Sequence, residues 1–179
     1  FVERINMDLA NAFGNLLNRT VSMISKYFDG EIPEYKGDVT PYDASLREAA
    51  SATIKLYESH LDDLKITDAF IEVNELVNRT NKYIDETTPW VLAKEGRKEE
   101  LASVMCHLAN AIFIAAKLYE PVLVTSFAKA CDQLGIPSEK RDYEYINHFG
   151  SVEKYHVVKG APLFPRLDAE IEVPFIKEL

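Results

Sequence analysis

The sequence predicts an all-α fold: a helical bundle of about five helices followed by an extended C-terminal segment. Three observations carry this. Apolar residues recur three and four positions apart from the start of the chain to about Leu134. Gly- and Pro-containing stops divide that pattern into pieces of helical length. No alternating strand pattern lies between the pieces, and the helical period fades only after about Arg141.

The first helix is expected from about Glu3 to Phe28. At about 100° per residue, Ile5, Leu9, Ala12, Phe13, Leu16, Leu17, Thr20, Met23, Ile24 and Tyr27 share one arc, and Asp29-Gly30 stops the helix. After a polar loop, the second helix is expected to start at Thr40-Pro41, with Thr40 as cap and Pro41 in the first position, and to run to about Leu64. The third begins near Thr67, read as its cap, and carries Ala69, Phe70, Val73, Leu76, Val77 and Tyr83 inward. Pro89 ends it, because proline disfavours helical geometry at Thr88 and brings no amide hydrogen, so Trp90 falls at a corner. The fourth, from Arg97 to about Leu118, is apolar enough to be the central helix. The fifth opens at Pro121 and closes at Gly135. These elements form one unit over 1–140. Residues 141–179 are expected to lie across it, with Leu163, Phe164, Ile171, Val173 and Phe175 as anchors.

Composition narrows function. The chain has 179 residues, 47% of them hydrophobic, which suits a globular domain with its own core. A net charge of −9 opposes non-specific nucleic-acid binding, so any such role must rest on local geometry. No apolar run reads as a bilayer span and no signal sequence is evident. Cys106 and Cys131 lie on apolar faces outside any metal-binding spacing, as expected of buried thiols in the cytoplasm. The chain starts at Phe1 and runs straight into helical pattern, as a piece of a longer protein would.

Catalytic motifs are missing. There is no Gly-rich phosphate loop and no ordered nucleophile and base. His60, His107, His148 and His156 are too scattered for a metal site. No catalytic residue, metal or cofactor is therefore expected in this stretch.

A candidate binding surface remains. Asn11, Asn15 and Arg19 stand at i, i+4 and i+8 opposite the apolar arc of the first helix, roughly 6 Å apart along its axis. Amides and a guanidinium in such a row suit base edges and phosphates. Spacing alone describes a solvated helix face just as well. Tyr83, Asp85, Pro89 and Trp90 at the end of the third helix form a second group. An exposed Trp90 would stack an unpaired base, and a buried one would anchor a core or an interface.

Three motifs in order choose between these. Arg4-Ile5-Asn6-Met7-Asp8-Leu9-Ala10-Asn11-Ala12-Phe13-Gly14-Asn15-Leu16-Leu17-Asn18-Arg19-Thr20, then Asn81-Lys82-Tyr83-Ile84-Asp85-Glu86-Thr87-Thr88-Pro89-Trp90, then Pro162-Leu163-Phe164-Pro165-Arg166-Leu167 resemble the anticodon-binding domain of bacterial methionyl-tRNA synthetases, which are class I aminoacyl-tRNA synthetases. The first motif alone also occurs in isoleucine, valine and leucine relatives; the Pro-Trp corner and the Pro-Leu-Phe-Pro-Arg segment select methionine. The resemblance implies that Asn11, Asn15, Arg19, Asp85, Pro89 and Trp90 read the CAU anticodon of tRNA(Met), with Asp85 rejecting other anticodons. It also implies a catalytic domain upstream in the same chain that uses ATP to join methionine to tRNA, with no membrane or DNA partner. Ala12-Phe13 and Lys159-Gly160-Ala161 depart from the family's usual residues, away from the reader positions. Arg79, Lys82 and Lys26 are expected beside Arg19 in a small positive patch. Without the resemblance, a helical module that docks a protein partner through Trp90 would fit the same residues.

Overall fold

The opening helix changes its winding partway along in the computed structural model, which describes residues 6–165, with side chains from residue 9 onward. Asn6–Gly14 is π-helical and runs directly into an α-helix, α1, over Asn15–Tyr27. The single α-helix expected from Glu3 to Phe28 is therefore corrected, and Gly14 supplies the physical reason. A β-carbon on Gly14 would stand 3.2 Å from the Leu9 carbonyl oxygen, five residues back, and 3.5 Å from the ring of Phe164. The missing side chain leaves room both for the wider turn and for that ring.

The remaining helices are α2 (Asp43–Asp62), α3 (Ile66–Thr87), α4 (Pro89–Glu95), α5 (Lys98–Tyr119) and α6 (Val124–Leu134), with 3-10 turns at Ser138–Lys140 and Tyr143–Asn147. Four local expectations change. The flanking residue of α2 is Tyr42 and not Thr40: the Thr40 hydroxyl accepts the Tyr42 amide at 3.4 Å and donates to Asp43, whose carboxylate also accepts the amides of Val39 and Thr40 at 2.9 Å each. Thr67 does not cap α3, which starts one residue earlier with Lys65 as its flanking residue. Pro121 lies in a turn, and α6 begins at Val124. Finally, the Pro89-Trp90 corner opens a short helix of its own, α4, closed at Gly96 in the left-handed region.

α5 is the core helix. By length and composition it could cross a membrane, with a mean hydropathy of 1.6 over its most apolar window, so the expectation of no such run is corrected. Here 94% of that window is buried by the surrounding helices. Leu101, Val104, Met105, Leu108, Ile112 and Phe113 meet Leu16, Leu17 and Ile24 of α1, Leu46 and Ile54 of α2, and Val73, Leu76 and Ile84 of α3 in one continuous cluster. Cys106 and Cys131 are both free and buried, and burial pushes each thiol up to about 12, far from reactive thiolate.

The segment after α6 returns to the start of the chain. Glu31 and His156 form an antiparallel bridge, with Ile32 donating to the Tyr155 carbonyl at 2.9 Å and Val157 to that of Gly30 at 2.8 Å. Asn110, buried on α5, holds the approach to this bridge. Its Nδ2 donates to the Val152 carbonyl at 3.0 Å, and its Oδ1 accepts the amides of Gly150 and Val152 at 2.9 and 3.0 Å. Further on, Leu163 is buried and the Phe164 ring tilts against Phe13 at 6.3 Å between centroids. Two of the expected anchors thus sit on the bundle, while Arg166, Leu167, Ile171, Val173 and Phe175 lie outside the described residues.

Candidate functional site

Helical phase decides what α1 offers to solvent. Leu16, Leu17, Val21 and Ile24 are buried, which turns Asn15, Asn18 and Arg19 outward, and Asn11 is exposed on the π-helical stretch before them. Among the described residues, none of these four side chains has a hydrogen-bond or ion-pair partner. The i, i+4, i+8 ladder needs one correction. Asn15 and Arg19 share an α-helical face, but Asn11 belongs to the wider π turn, so the Asn11-to-Asn15 step is not an α-helical one.

The second group is built around Thr88. Its amide donates to the Ile84 carbonyl at 2.9 Å and closes α3; its own carbonyl accepts the Val91 amide at 2.8 Å and opens α4. Between these bonds Thr88 adopts φ 41°, ψ 63°, the left-handed region that a β-branched residue enters only at a cost of about 1–2 kcal/mol. The surroundings hold it there. Thr87 bonds the Tyr83 carbonyl through its hydroxyl at 2.7 Å, and Pro89 and Leu92 are buried on either side of Trp90. Proline suits the first helical position, where no amide hydrogen is required. Trp90, next in line, is 47% exposed and has no ring or hydrogen-bond partner among the described residues. Among the described residues nothing covers the exposed part of this indole, which leaves a ring face of the kind on which an unpaired base stacks.

The two groups are joined through Asn81. Its Nδ2 donates to the Val77 carbonyl of its own helix at 3.1 Å and to the Ala12 carbonyl of the π-helical stretch at 3.4 Å. Asp85 lies one turn further along α3, exposed and without an ion-pair partner among the described residues. Asn11 and Asn15, which bracket Ala12, thus belong to a segment stitched to the same helix that ends in the Trp90 corner.

Tyr83 leaves the candidate set. It is fully buried, and its hydroxyl donates to Asp43 Oδ1 at 2.7 Å. Burial, reinforced by the charge of Asp43, drives its phenol far above the ordinary value. Two positions before Asp85 on a helix, it points into the bundle where Asp85 points out. The positive patch also shrinks. Arg79 is bonded to Glu86 at 2.9 Å and to the Ser45 hydroxyl at 3.1 Å, and Lys82 stands 3.8 Å from the same Glu86. Among the described residues Arg19 has no acidic partner, and Lys26 lies 5.1 Å over the Tyr27 ring. Sequence reasoning missed Thr88 and Asn81 as structural members of the surface. The Thr-Pro pair signals a break in the helix but not a left-handed one, and nothing in the spacing shows that Asn81 meets Ala12.

Amides and a guanidinium without partners among the described residues, a carboxylate and an exposed indole are the kinds of group that take up unpaired bases. The family model described as the anticodon binding domain of methionyl tRNA ligase matches residues 32–169. A methionine–tRNA ligase of Bacillus subtilis is 51% identical over 99% of this chain, and one of Listeria innocua is 48% identical over 99%. The chain spans 27% of the length of each of these relatives. Among solved structures, the free form of Mycobacterium tuberculosis methionyl-tRNA synthetase superposes with a TM-score of 0.86 at 29% identity, over 93% of this chain and 34% of that one. The same enzyme with methionyl-adenylate gives 0.84 at 30% identity, over 92% and 33%. The chain belongs to the family of anticodon-binding domains of methionyl-tRNA ligases.

Proposed function

We propose that this chain reads the CAU anticodon of tRNA(Met) for a methionine–tRNA ligase whose ATP-dependent catalytic domain lies upstream in the same polypeptide, and that it works in the cytoplasm. The observation that carries this is Trp90, half exposed on a buried proline corner at the end of the helix whose Asn81 bonds the segment carrying Asn11, Asn15 and Arg19; among the described residues none of these four side chains has a hydrogen-bond or ion-pair partner. In this reading the indole stacks on a splayed anticodon base, the asparagine amides meet base edges, Arg19 meets a phosphate or a purine edge, and Asp85 repels anticodons that offer acceptors in its place. Pro89 contributes shape alone. The domain adds discrimination more than bulk affinity, consistent with a net charge of −9. Residues 141–179 act as the strap that packs on the bundle and on the catalytic domain.

The test is Trp90→Ala in the full-length ligase. A stacked base is worth about 1–3 kcal/mol, so affinity for a CAU stem-loop should fall about 5- to 150-fold while ATP-dependent methionine activation stays unchanged. A companion titration follows Trp90 fluorescence with a CAU loop and with a loop altered at the first anticodon base. Equal tRNA charging by variant and parent would overturn the reading. Indifference of the fluorescence to both loops at low salt would point instead to a protein-docking surface.

A further inference from the structure

The end of the bundle away from Trp90 is apolar, and among the described residues nothing covers it. α3 is 22 residues long, so its start stands about 33 Å from the Trp90 corner. At that far end Leu64, Ile66, Val122 and Val124 are between 58 and 84% exposed. Contacts between α3 and α5 gather them. Phe70 stacks on Tyr119 with 6.2 Å between ring centroids, and the Tyr119 hydroxyl donates to Asn74 Oδ1 at 2.5 Å. Ile66 lies one helical turn before Phe70 on the same face of α3, and the Tyr119 carbonyl accepts the Val122 amide at 3.0 Å. Leu64 closes the α2-α3 hairpin at φ 60°, a backbone that glycine adopts more easily, yet it carries the most exposed aliphatic side chain of the four. The charges around them are paired with each other, Lys65 with Asp63 and Lys117 with Glu120. Single exposed aliphatics are ordinary, but four at one end inside a neutralised polar rim have the make-up of an interface.

We infer that this end seats the remainder of the ligase, the upstream part of the same polypeptide. Three observations choose that occupant. The chain spans 27% of the length of its relatives, so most of such a ligase lies outside it. α1 runs antiparallel to α5, since Phe13 meets Tyr119 at 5.5 Å while Phe28 shares a cavity wall with Lys98 and Ala102. The backbone from Phe13 back to Asn6 therefore heads for the apolar end. Trp90, finally, sits at the other end, where a domain docked on Leu64 and Val122 leaves the indole open to a base. α3 then acts as a rigid spacer between the part that reads the anticodon and the part that charges the tRNA. The identity of the partner rests on the anticodon reading, but the covering of this end is tested without RNA.

The experiment is hydroxyl-radical footprinting of the full-length ligase, with each rate corrected for the intrinsic reactivity of its side chain. Ile71 is the internal control: it is 49% exposed and faces away from the buried Ala69, Val73 and Val77. Leu64, Ile66, Val122 and Val124 should be oxidised about fivefold more slowly than Ile71, although each is more exposed than Ile71 here. Oxidation as fast as at Ile71 would overturn the inference. So would protection that comes with a doubled mass in light scattering and disappears on dilution, because the occupant is then a second copy. A second arm uses the full-length ligase carrying Leu64→Ser and Val122→Ser, two exposed positions outside the core. It should charge tRNA about tenfold more slowly, with methionine activation and CAU stem-loop affinity unchanged, because the two parts are no longer held in register. Charging at the parent rate would sink the inference. If Trp90→Ala leaves CAU affinity unchanged, the anticodon reading fails on its own, and the footprint still decides whether this end is covered.

Discussion

The hydroxyl of Tyr83 donates to Asp43 Oδ1 at 2.7 Å, and both side chains are fully buried. This bond crosses from α3 to the start of α2, and Ser103 of α5 adds a second at 2.6 Å to the other carboxylate oxygen. Three helices are tied at the Asp43 carboxylate, and Tyr83, which reaches it from α3, lies two residues before Asp85 and about a turn and a half before the Thr88-Pro89 corner. Next to it His107, also fully buried, bonds the Ser103 carbonyl through Nδ1 at 2.8 Å, and its Nε2 stands 3.4 Å from Asp38. The knot gives the Trp90 end of α3 a fixed root.

Stability in acid should report on that knot. Burial works to raise the Asp43 carboxyl, but the hydrogen bonds from Ser103, Thr40 and Tyr83 outweigh it and hold the group below the usual carboxylate range. Since the folded value lies below the unfolded one, the stabilisation is complete above about pH 4, the ordinary aspartate value, and drains away as pH falls through the lower folded value. Asp43→Asn should cost roughly 2–3 kcal/mol near neutrality, because an amide oxygen can replace Oδ2 before the Val39, Thr40 and Ser103 donors but its NH2 then faces the Tyr83 and Thr40 hydroxyls, which now donate to Oδ1. It should also flatten the loss of stability below pH 4. Urea titrations of both proteins from pH 3 to 7 measure this, and parallel pH curves would refute the role assigned to Asp43.

Two glycines with almost the same backbone make a sharper contrast. Gly96 has φ 72° and Gly135 φ 70°, yet a β-carbon on Gly96 meets nothing within 4 Å, whereas one on Gly135 would stand 2.2 Å from the His156 carbonyl oxygen. Gly96→Ala should cost about 1 kcal/mol, the left-handed penalty less the entropy that glycine loses on folding. Gly135→Ala must in addition push the 154–157 stretch off the bundle, for a total on the order of 3–4 kcal/mol. Denaturation midpoints of the two variants decide it. Similar losses would mean that the C-terminal segment yields freely.

At the corner, relief of strain and loss of function should separate. Thr88→Gly removes a left-handed penalty of about 1–2 kcal/mol and adds about 0.5–1 kcal/mol of unfolded-state entropy, a net stabilisation of roughly 0.5–1 kcal/mol. The same change frees the hinge that aims Trp90, so affinity for a CAU stem-loop should drop by a few-fold although the protein is more stable. A variant that is less stable than the parent would show that Thr88 makes compensating contacts of its own.

The helices were legible in the sequence because burial follows period: Leu16, Leu17, Ile24, Val73, Leu76 and Leu108 all face inward as spacing requires. Starts were less legible, since Thr40 and Thr67 have the right chemistry for caps but Asp43 outcompetes the first and the second is left in solvent. The π winding left no trace in periodicity, because nine residues are too few to separate a wider period from an α-helical one. For the site, the three motifs pointed to Asn11, Asn15, Arg19, Asp85, Pro89 and Trp90, and the described side chains leave all of these exposed except Pro89. Which cations stay free could not be read from sequence at all, because Glu86, which claims both Arg79 and Lys82, is one acid among many there.

That last distinction yields a measurable difference between cations. Arg19 has no carboxylate within ion-pair distance among the described residues, so it is available to neutralise a phosphate; Arg79 is already spent on Glu86 at 2.9 Å. For a single-stranded loop, each phosphate neutralised adds about 0.7 to the slope of log affinity against log salt. Arg19→Gln should therefore weaken binding of the CAU stem-loop and flatten that slope by about 0.7, while Arg79→Gln leaves the slope unchanged. Titrations of the full-length ligase at several salt concentrations test both at once. If Arg19→Gln lowers affinity equally at every salt concentration, Arg19 reads a base edge and not a phosphate. If Arg79→Gln is the variant that flattens the slope, the pairing with Glu86 gives way when RNA binds, and the cationic surface is wider than Arg19 and Lys26.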